Sequence, residues 1–203
     1  MDENQLSYAE IDKEIEERSA ATRKKLPHDI FDIVEFFVIA FSIILILATV
    51  FFRQAVVYGG SMESTLLSGD RLIISNFFYT PTAGDIVVVQ LEDEITASFP
   101  MQLTEGESVV KRIIATAGQR VRVTGGLVYV DDVPLYEDYI MIDGQDQRAN
   151  MEEITVSEGH VFLMGDHRNK SLDSRWFGEV DERTILGKAL FRIYPFDAVG
   201  GVS

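Results

Sequence analysis

Gly59-Gly60-Ser61-Met62-Glu63-Ser64-Thr65-Leu66 sets a small hydroxyl residue beside two glycines, where backbone can approach a substrate closely. No histidine lies near it in the chain; the three are His28, His160 and His167. The informative partner is Lys111, set among apolar residues in Val109-Val110-Lys111-Arg112-Ile113-Ile114. A serine without a histidine beside it and a lysine in an apolar strand are the residue types of Ser–Lys nucleophilic chemistry. In that chemistry a neutral amine takes the hydroxyl proton and the serine oxygen attacks.

The lysine must be tuned for this. A free lysine has a pKa of about 10.4, so only about 1 in 2,500 is neutral at pH 7. A working base needs a value nearer about 8, a shift of roughly 3 kcal/mol. Burial among valine and isoleucine supplies it, because desolvation disfavours the ammonium form. Strand alternation points Lys111 and Ile113 to one face and Val110, Arg112 and Ile114 to the other, so one of two adjacent cations meets an apolar face. The rival readings are local: Ser61 as a turn serine capping backbone, and Lys111 as an edge-strand lysine that blocks aggregation. A third stretch, Met164-Gly165-Asp166-His167-Arg168-Asn169-Lys170-Ser171-Leu172-Asp173-Ser174-Arg175, packs charged and turn residues behind an apolar strand. It reads either as a surface loop or as a buried hydrogen-bonded network supporting a site.

Composition narrows the function classes. The 203 residues carry 33 acids against 18 Lys and Arg, a net charge of −15, which argues against a nucleic-acid binder. There is no cysteine, which excludes disulfides, thiol catalysis and Cys-ligated zinc. The histidines show no metal-ligand spacing, so neither a metal nor a cofactor is expected.

The elements that must position these residues follow from the pattern. Residues 1–29 are polar and read as a cytoplasmic solvated tail with at most a short exposed helix around Ile11 and Ile15. From Phe36 to Phe52 there is no charge, and residues 30–52 are long enough to cross a membrane as a helix; the alternative is a buried helix of a soluble protein. Arg23, Lys24 and Lys25 precede this run and Arg53 alone follows it, which places the N-terminus in the cytoplasm and the rest outside. The bulky Phe51-Phe52-Arg53-Gln54 lacks a small-residue cleavage site, so the run reads as an uncleaved signal-anchor. Residues 53–203 read as an extracytoplasmic, mostly β domain. Its strands are expected around Ala55–Tyr58, Arg71–Ser75, Asp85–Gln90, Val109–Ala115, Arg120–Val123, His160–Met164 and Ile185–Tyr194. Gly126 to Leu135 reads as a hairpin with Asp131-Asp132 near its tip. Glu92 to Gly106 reads as an irregular surface loop, and 136–155 is weakly patterned.

Gly60 to Leu66, Gly69-Asp70, Gly84-Asp85-Ile86-Val87, Lys111 to Ala115 with Gly118, and Gly165-Asp166 through Asp173-Ser174-Arg175 resemble, in order after an anchor, the successive boxes of type I signal peptidases. The likeness runs over residues 33–195. It implies an antiparallel β-sheet catalytic domain with a small inserted β region over about 124–158, tethered by one transmembrane helix. It implies Ser61 as nucleophile, its backbone N–H as oxyanion donor, and Lys111 as general base. Ser171 would hydrogen-bond and orient Lys111, Asp173 and Arg175 would form an ion pair beside the site, and Asp166 and Arg168 would support the loop. Ala55, Val57, Met62, Leu66 and Val110 would wall the substrate pockets, receiving a signal peptide as an added strand with small residues at the cut. The implied partners are signal peptides of exported preproteins, the lipid bilayer and the translocation machinery. Gly59 stands where some members carry a serine that adds a second oxyanion donor; Ser64 stands for a usual proline and His167 for a usual asparagine, which makes His167 a loop residue.

Two other readings remain. A self-cleaving Ser–Lys repressor-type protease requires a DNA-binding helical domain where this chain has an apolar run. A catalytically inactive membrane-tethered β scaffold or binding module requires Ser61 and Lys111 to be dispensable.

Overall fold

A computed structural model describes residues 3–99 and 108–202. Two compact units divide it, residues 1–50 and 51–203.

The first unit is built on one helix, α1, Glu3–Phe51. The polar tail is therefore helical from Glu3, not irregular with one short helix. Its sequence explains the difference: residues 3–25 hold no glycine or proline and many Glu, Lys, Ala and Gln, all strong helix formers. The Arg18 guanidinium meets Glu14 at 3.2 Å, one turn away, a pair worth a few tenths of a kcal/mol, about 0.3–0.5. The Ile30–Phe51 segment is long and apolar enough to cross a membrane. Its large side chains, Phe36, Phe37, Phe41 and Ile46 among them, are exposed within the unit. That leaves an apolar surface all round the Ile30–Phe51 segment.

The second unit is mostly antiparallel β. Its strands are β1 Arg53–Val56, β2 Arg71–Ser75, β3 Ile86–Gln90, β4 Ser108–Thr116, β5 Arg120–Thr124, β6 Leu127–Val130, β7 Val133–Pro134, β8 Met151–Thr155, β9 His160–Met164, β10 Val180–Asp181, β11 Ile185–Tyr194 and β12 Gly200–Gly201. The larger sheet runs β1-β2-β11-β3-β4-β9-β10, with β12 added to β11; the smaller runs β7-β6-β5-β8 and occupies Arg120 to Thr155. Two short helices interrupt the strands, α2 at Asp93–Ser98 and α3 at Ser174–Phe177.

Three local expectations need amending. The stretch beginning at Glu92 contains α2, whose first turn carries Asp93 and Glu94, acids that favour a helix N-terminus; residues 100–107 lie outside the described residues. The first strand ends at Val56 rather than Tyr58, because Val57 turns inward and its backbone bonds Asp70 and Gly69 across the loop that carries Ser61. The weakly patterned 136–155 ends in β8, whose half-exposed Met-Glu-Glu-Ile-Thr carries little alternation to announce it. The hairpin tip is as expected: Asp131 and Asp132 join β6 and β7 with φ of 50° and 67°, the left-handed pair that a tight two-residue hairpin turn requires.

The centre of the large sheet positions the chemistry. β3 is buried on both faces through Ile86–Val89, and β4 through Val110–Ala115. One apolar cluster, including Val57, Met62, Leu66, Leu72, Ile86 and Val110, lies under the loop that carries Ser61. A second, including Val87, Ile113, Val161 and Leu163, packs the opposite side, and a third, with Val121, Val123, Phe162 and Met164, joins the two sheets. Each fully buried side chain of this kind contributes about 1.5–3 kcal/mol. Lys111 and Arg112 are therefore committed to the interior by the strand that carries them.

Candidate active site

β1 leads into a tight turn over Gly60–Thr65, in which Glu63 N–H donates to Gly60 O and Leu66 N–H to Met62 O. Met62 and Leu66 anchor the turn in the core, which fixes Ser61 at its crest. Gly59 precedes it with φ +77°, and no atom lies within 4 Å of the place a Cβ would take. From β4, the Lys111 ammonium reaches the Ser61 hydroxyl, with Nζ 2.7 Å from Oγ. Lys111 is 3% exposed and has no ion-pairing carboxylate among the described residues. Burial pushes its pKa down from 10.5 to about 8; the Asp173 carboxylate opposes this, Arg175 assists it, and Asp166 opposes it.

The neighbouring cation is treated differently. Arg112 donates from Nε and Nη2 to the two oxygens of Asp166 at 2.9 and 2.7 Å, donates to Gly84 O at 2.9 Å, and stacks 3.8 Å from the centre of the Tyr139 ring. Thr65 Oγ1 donates to the same Asp166 carboxylate at 2.5 Å, so the loop that carries Ser61 is bound to it directly. Alternation directs one of the two cations to an apolar face; β4 buries both, because Asp166, Gly84 and the Tyr139 ring enclose the Arg112 side chain on its own face.

The loop after β9 closes the site. Gly165 lies so near that a Cβ there would stand 2.3 Å from Ser171 Oγ and 2.4 Å from Ser61 O. His167 N–H donates to Ser61 O at 3.0 Å. The Asp173 carboxylate accepts from Gly165 N–H at 3.1 Å and from Arg175 Nε and Nη2 at 2.9 Å each. Arg175 also reaches Asp146 at 2.7 Å and donates to Arg168 O at 2.6 Å. Arg168, 1% exposed, donates to Glu137 through both terminal nitrogens and to Gly165 O through Nε. The 164–175 stretch is thus a buried hydrogen-bonded network, not a surface loop.

Ser171 departs from expectation. Its hydroxyl is buried in the same cleft as Ser61 and Lys111 but has no hydrogen-bond partner, so the bond to Lys111 is not formed. An orphan hydroxyl costs about 1–3 kcal/mol.

Ser61, Lys111 and Ser171 open on a cleft of about 460 Å³, walled also by Tyr58, Gly59, Gly60, Val109, Leu172 and Trp176. A second hollow, about 300 Å³, is lined by Ala55, Ile74, Val88, Val110 and Leu186. Of the residues proposed as pocket walls, Ala55 and Val110 line this second hollow. Val57, Met62 and Leu66 lie beneath, in the core cluster. Among the described residues, the edge of β4 beside the cleft has no partner strand before Arg112: β4 pairs with β3 from Ser108, but with β9 only from Arg112 onward.

Sequence reasoning missed the acids that complete the network: Glu63, Glu137, Asp143 and Asp146. No local pattern marks them. The acids at 137, 143 and 146 meet the basic residues Arg168, Lys170 and Arg175 in the same order, as the parallel bridge between Met141 and His167 requires.

The sequence profile of one family, described as signal peptidase, peptidase S26, matches residues 30–194. The chain belongs to this family. By family it is a signal peptidase, a proteolytic hydrolase whose substrates are signal peptides. It is 39% identical over 144 residues to the probable signal peptidase I-1 of Synechocystis, covering 66% of this chain and 67% of that one. It is 29% identical over 195 residues to the signal peptidase I of Bacillus licheniformis, covering 91% and 97%. It is 33% identical to the chloroplastic thylakoidal processing peptidase 1 of Arabidopsis thaliana, of which it spans only 40%. The crystal structure of a signal peptidase I from Enterococcus faecalis shares 26% identity, covers 54% of this chain and 97% of that one, and superposes with a TM-score of 0.42. In this signal peptidase the mostly antiparallel β unit and the apolar N-terminal helix are the expected parts, and the buried Ser61–Lys111 contact lies within the family-matched span.

Proposed function

We propose that this signal peptidase is a membrane-anchored serine endopeptidase that cuts exported preproteins after small residues, with Ser61 as nucleophile and Lys111 as general base. The single observation that carries the reading is the buried amine: Lys111 Nζ stands 2.7 Å from Ser61 Oγ, inside hydrogen-bond reach, with its pKa brought to about 8 by desolvation.

The steps follow from that contact. Neutral Lys111 takes the Ser61 proton as Oγ attacks the scissile carbonyl carbon, and the Ser61 backbone N–H donates to the developing oxyanion. The resulting ammonium has hydrogens to spare, and the unpaired Ser171 hydroxyl beside it accepts one. Collapse of the tetrahedral intermediate breaks the C–N bond, and Lys111 returns the proton to the leaving amine. The acyl-Ser61 ester is then hydrolysed by a water that Lys111 deprotonates, with the proton returned to Ser61 Oγ. Asp173–Arg175 and Asp166–Arg112 hold the walls of the site and touch no reacting atom.

The substrate binds extended along the open edge of β4 at Ser108–Lys111, as an added strand, with side chains alternating into the two hollows. The Ile30–Phe51 helix crosses the bilayer with the N-terminus cytoplasmic, as the flanking Lys and Arg direct, and the peptidase unit works outside, where preproteins leave the translocation machinery.

The test is cleavage of a preprotein by the full chain in detergent or lipid. Ser61→Ala and Lys111→Met are each expected to lower the rate by about 10⁴-fold or more. Retained cleavage in either variant overturns the mechanism.

A further inference from the structure

His167 is fully buried at 0% exposure, yet its imidazole is bonded at both ends to carboxylates. Nδ1 lies 2.8 Å from Glu63 Oε2, and Nε2 lies 2.9 Å from Asp143 Oδ1. Glu63 sits two residues after the nucleophile, in the turn that carries it. Asp143 sits in the segment that bridges to His167 through Met141. The main chain of His167 is engaged as well, its N–H donating to Ser61 O at 3.0 Å.

The donor count fixes what this imidazole must be. An ionised carboxylate only accepts hydrogen bonds, and a neutral imidazole has one N–H. Asp143 is held well below the usual carboxylate range by Lys170, His167 and Asn169, so it stays an acceptor. With both carboxylates as acceptors, both contacts are hydrogen bonds only when both ring nitrogens carry hydrogen. Lys170 Nζ completes the group, 2.7 Å from Asp143 and 3.8 Å from Glu63, and Asn169 Nδ2 donates to Asp143 at 2.8 Å. Two cations then face two anions. A neutral imidazole would leave an excess negative charge and turn a lone pair towards a carboxylate.

We propose that His167, in its doubly protonated form, is a positioning residue that clamps the nucleophile turn by bridging Glu63 to Asp143. The proposal rests on the reading of Ser61 as nucleophile. The clamp acts through geometry. The backbone N–H of Ser61 serves as oxyanion donor only while the Gly60–Thr65 turn holds its orientation, and the turn is held at Ser61 O by His167 N–H and at Glu63 by the imidazole. Loosening it misaims the donor in the transition state and leaves ground-state binding along β4 intact.

The experiment uses the full chain in detergent micelles. Ring ¹⁵N spectra of His167 in the Ser61→Ala variant at pH 7 are expected to show both nitrogens protonated, with Glu63→Gln changing the Nδ1 environment and Asp143→Asn the Nε2 environment. In otherwise wild-type enzyme, His167→Phe should lower kcat by about 10- to 100-fold with KM within about twofold, since a misplacement near 1 Å has that effect. His167→Asn, which keeps one donor, should lose less. Glu63→Gln should add little on top of His167→Phe, because both remove the same bridge. A neutral imidazole in the spectra, or wild-type kcat in His167→Asn and Glu63→Gln alike, overturns the proposal. The spectra need no turnover, so this outcome is separable from failure of the Ser61–Lys111 reading, which shows as retained cleavage in Ser61→Ala.

Discussion

Asp166 grips Arg112 with both carboxylate oxygens, at 2.9 and 2.7 Å, one residue along from Lys111, which no carboxylate among the described residues grips. Two adjacent cations on one buried strand are thus assigned opposite duties, one neutralised as structure and one left free to give up its proton. Asp166→Asn leaves the Arg112 guanidinium buried and unpaired, and should lower stability by about 3–5 kcal/mol in denaturant unfolding. The Asp166 charge also favours the ammonium form of Lys111, so the alkaline rise of the remaining activity should move to lower pH.

The base works only when neutral. With the pKa of Lys111 at about 8, kcat/KM should rise tenfold per pH unit below that value and level off above it. A pH–rate profile on a synthetic signal peptide measures this. A rise centred near about 6.5, the histidine range, would be the wrong result.

The same lysine weakens the fold. Its folded-state pKa of about 8 lies below the ordinary 10.5, so between those values the unfolded chain holds a proton that the folded one has released. Stability therefore rises with pH across that window, and at neutral pH the buried ammonium costs on the order of about 3 kcal/mol. Lys111→Met should unfold at higher denaturant than the parent at pH 7, with the gap narrowing as pH approaches the upper limit of the window.

Gly165 is where the closing loop touches Ser61. An alanine Cβ there would fall 2.4 Å from the Ser61 carbonyl oxygen, a backbone atom that cannot swing aside. Gly165→Ala should cost about 1–3 kcal/mol of stability and lower kcat by about 100-fold, read from unfolding and single-turnover cleavage.

Much of this was legible in the chain itself. The apolar run, the short β-branched strands and the Asp131-Asp132 tip are local patterns, and local patterns survive translation into structure. Lys111 was legible as a misfit, a cation in a valine–isoleucine strand. What escaped reading depends on distant pairing. Nothing near Glu137, Asp143 or Asp146 announces that a parallel bridge will lay them against Arg168, His167 and Arg175. Val57, Met62 and Leu66 were expected at the pocket surface, yet they lie under it, because the turn that lifts Ser61 must root its flanking residues in the core. The helical tail escaped because its residues favour a helix by propensity alone, with no buried stripe to mark one.

Gly59 holds a constraint of handedness. The space beside its α-carbon is empty, so bulk does not keep a side-chain donor from this edge of the site. Its φ of +77° does, since an L-residue in that region is strained by about 1–2 kcal/mol, asparagine and aspartate least. A serine placed there must either bear that strain or reverse the backbone that aims the next two residues. The chirality of the main chain, rather than the room around it, decides how many hydrogen-bond donors this enzyme can offer an oxyanion.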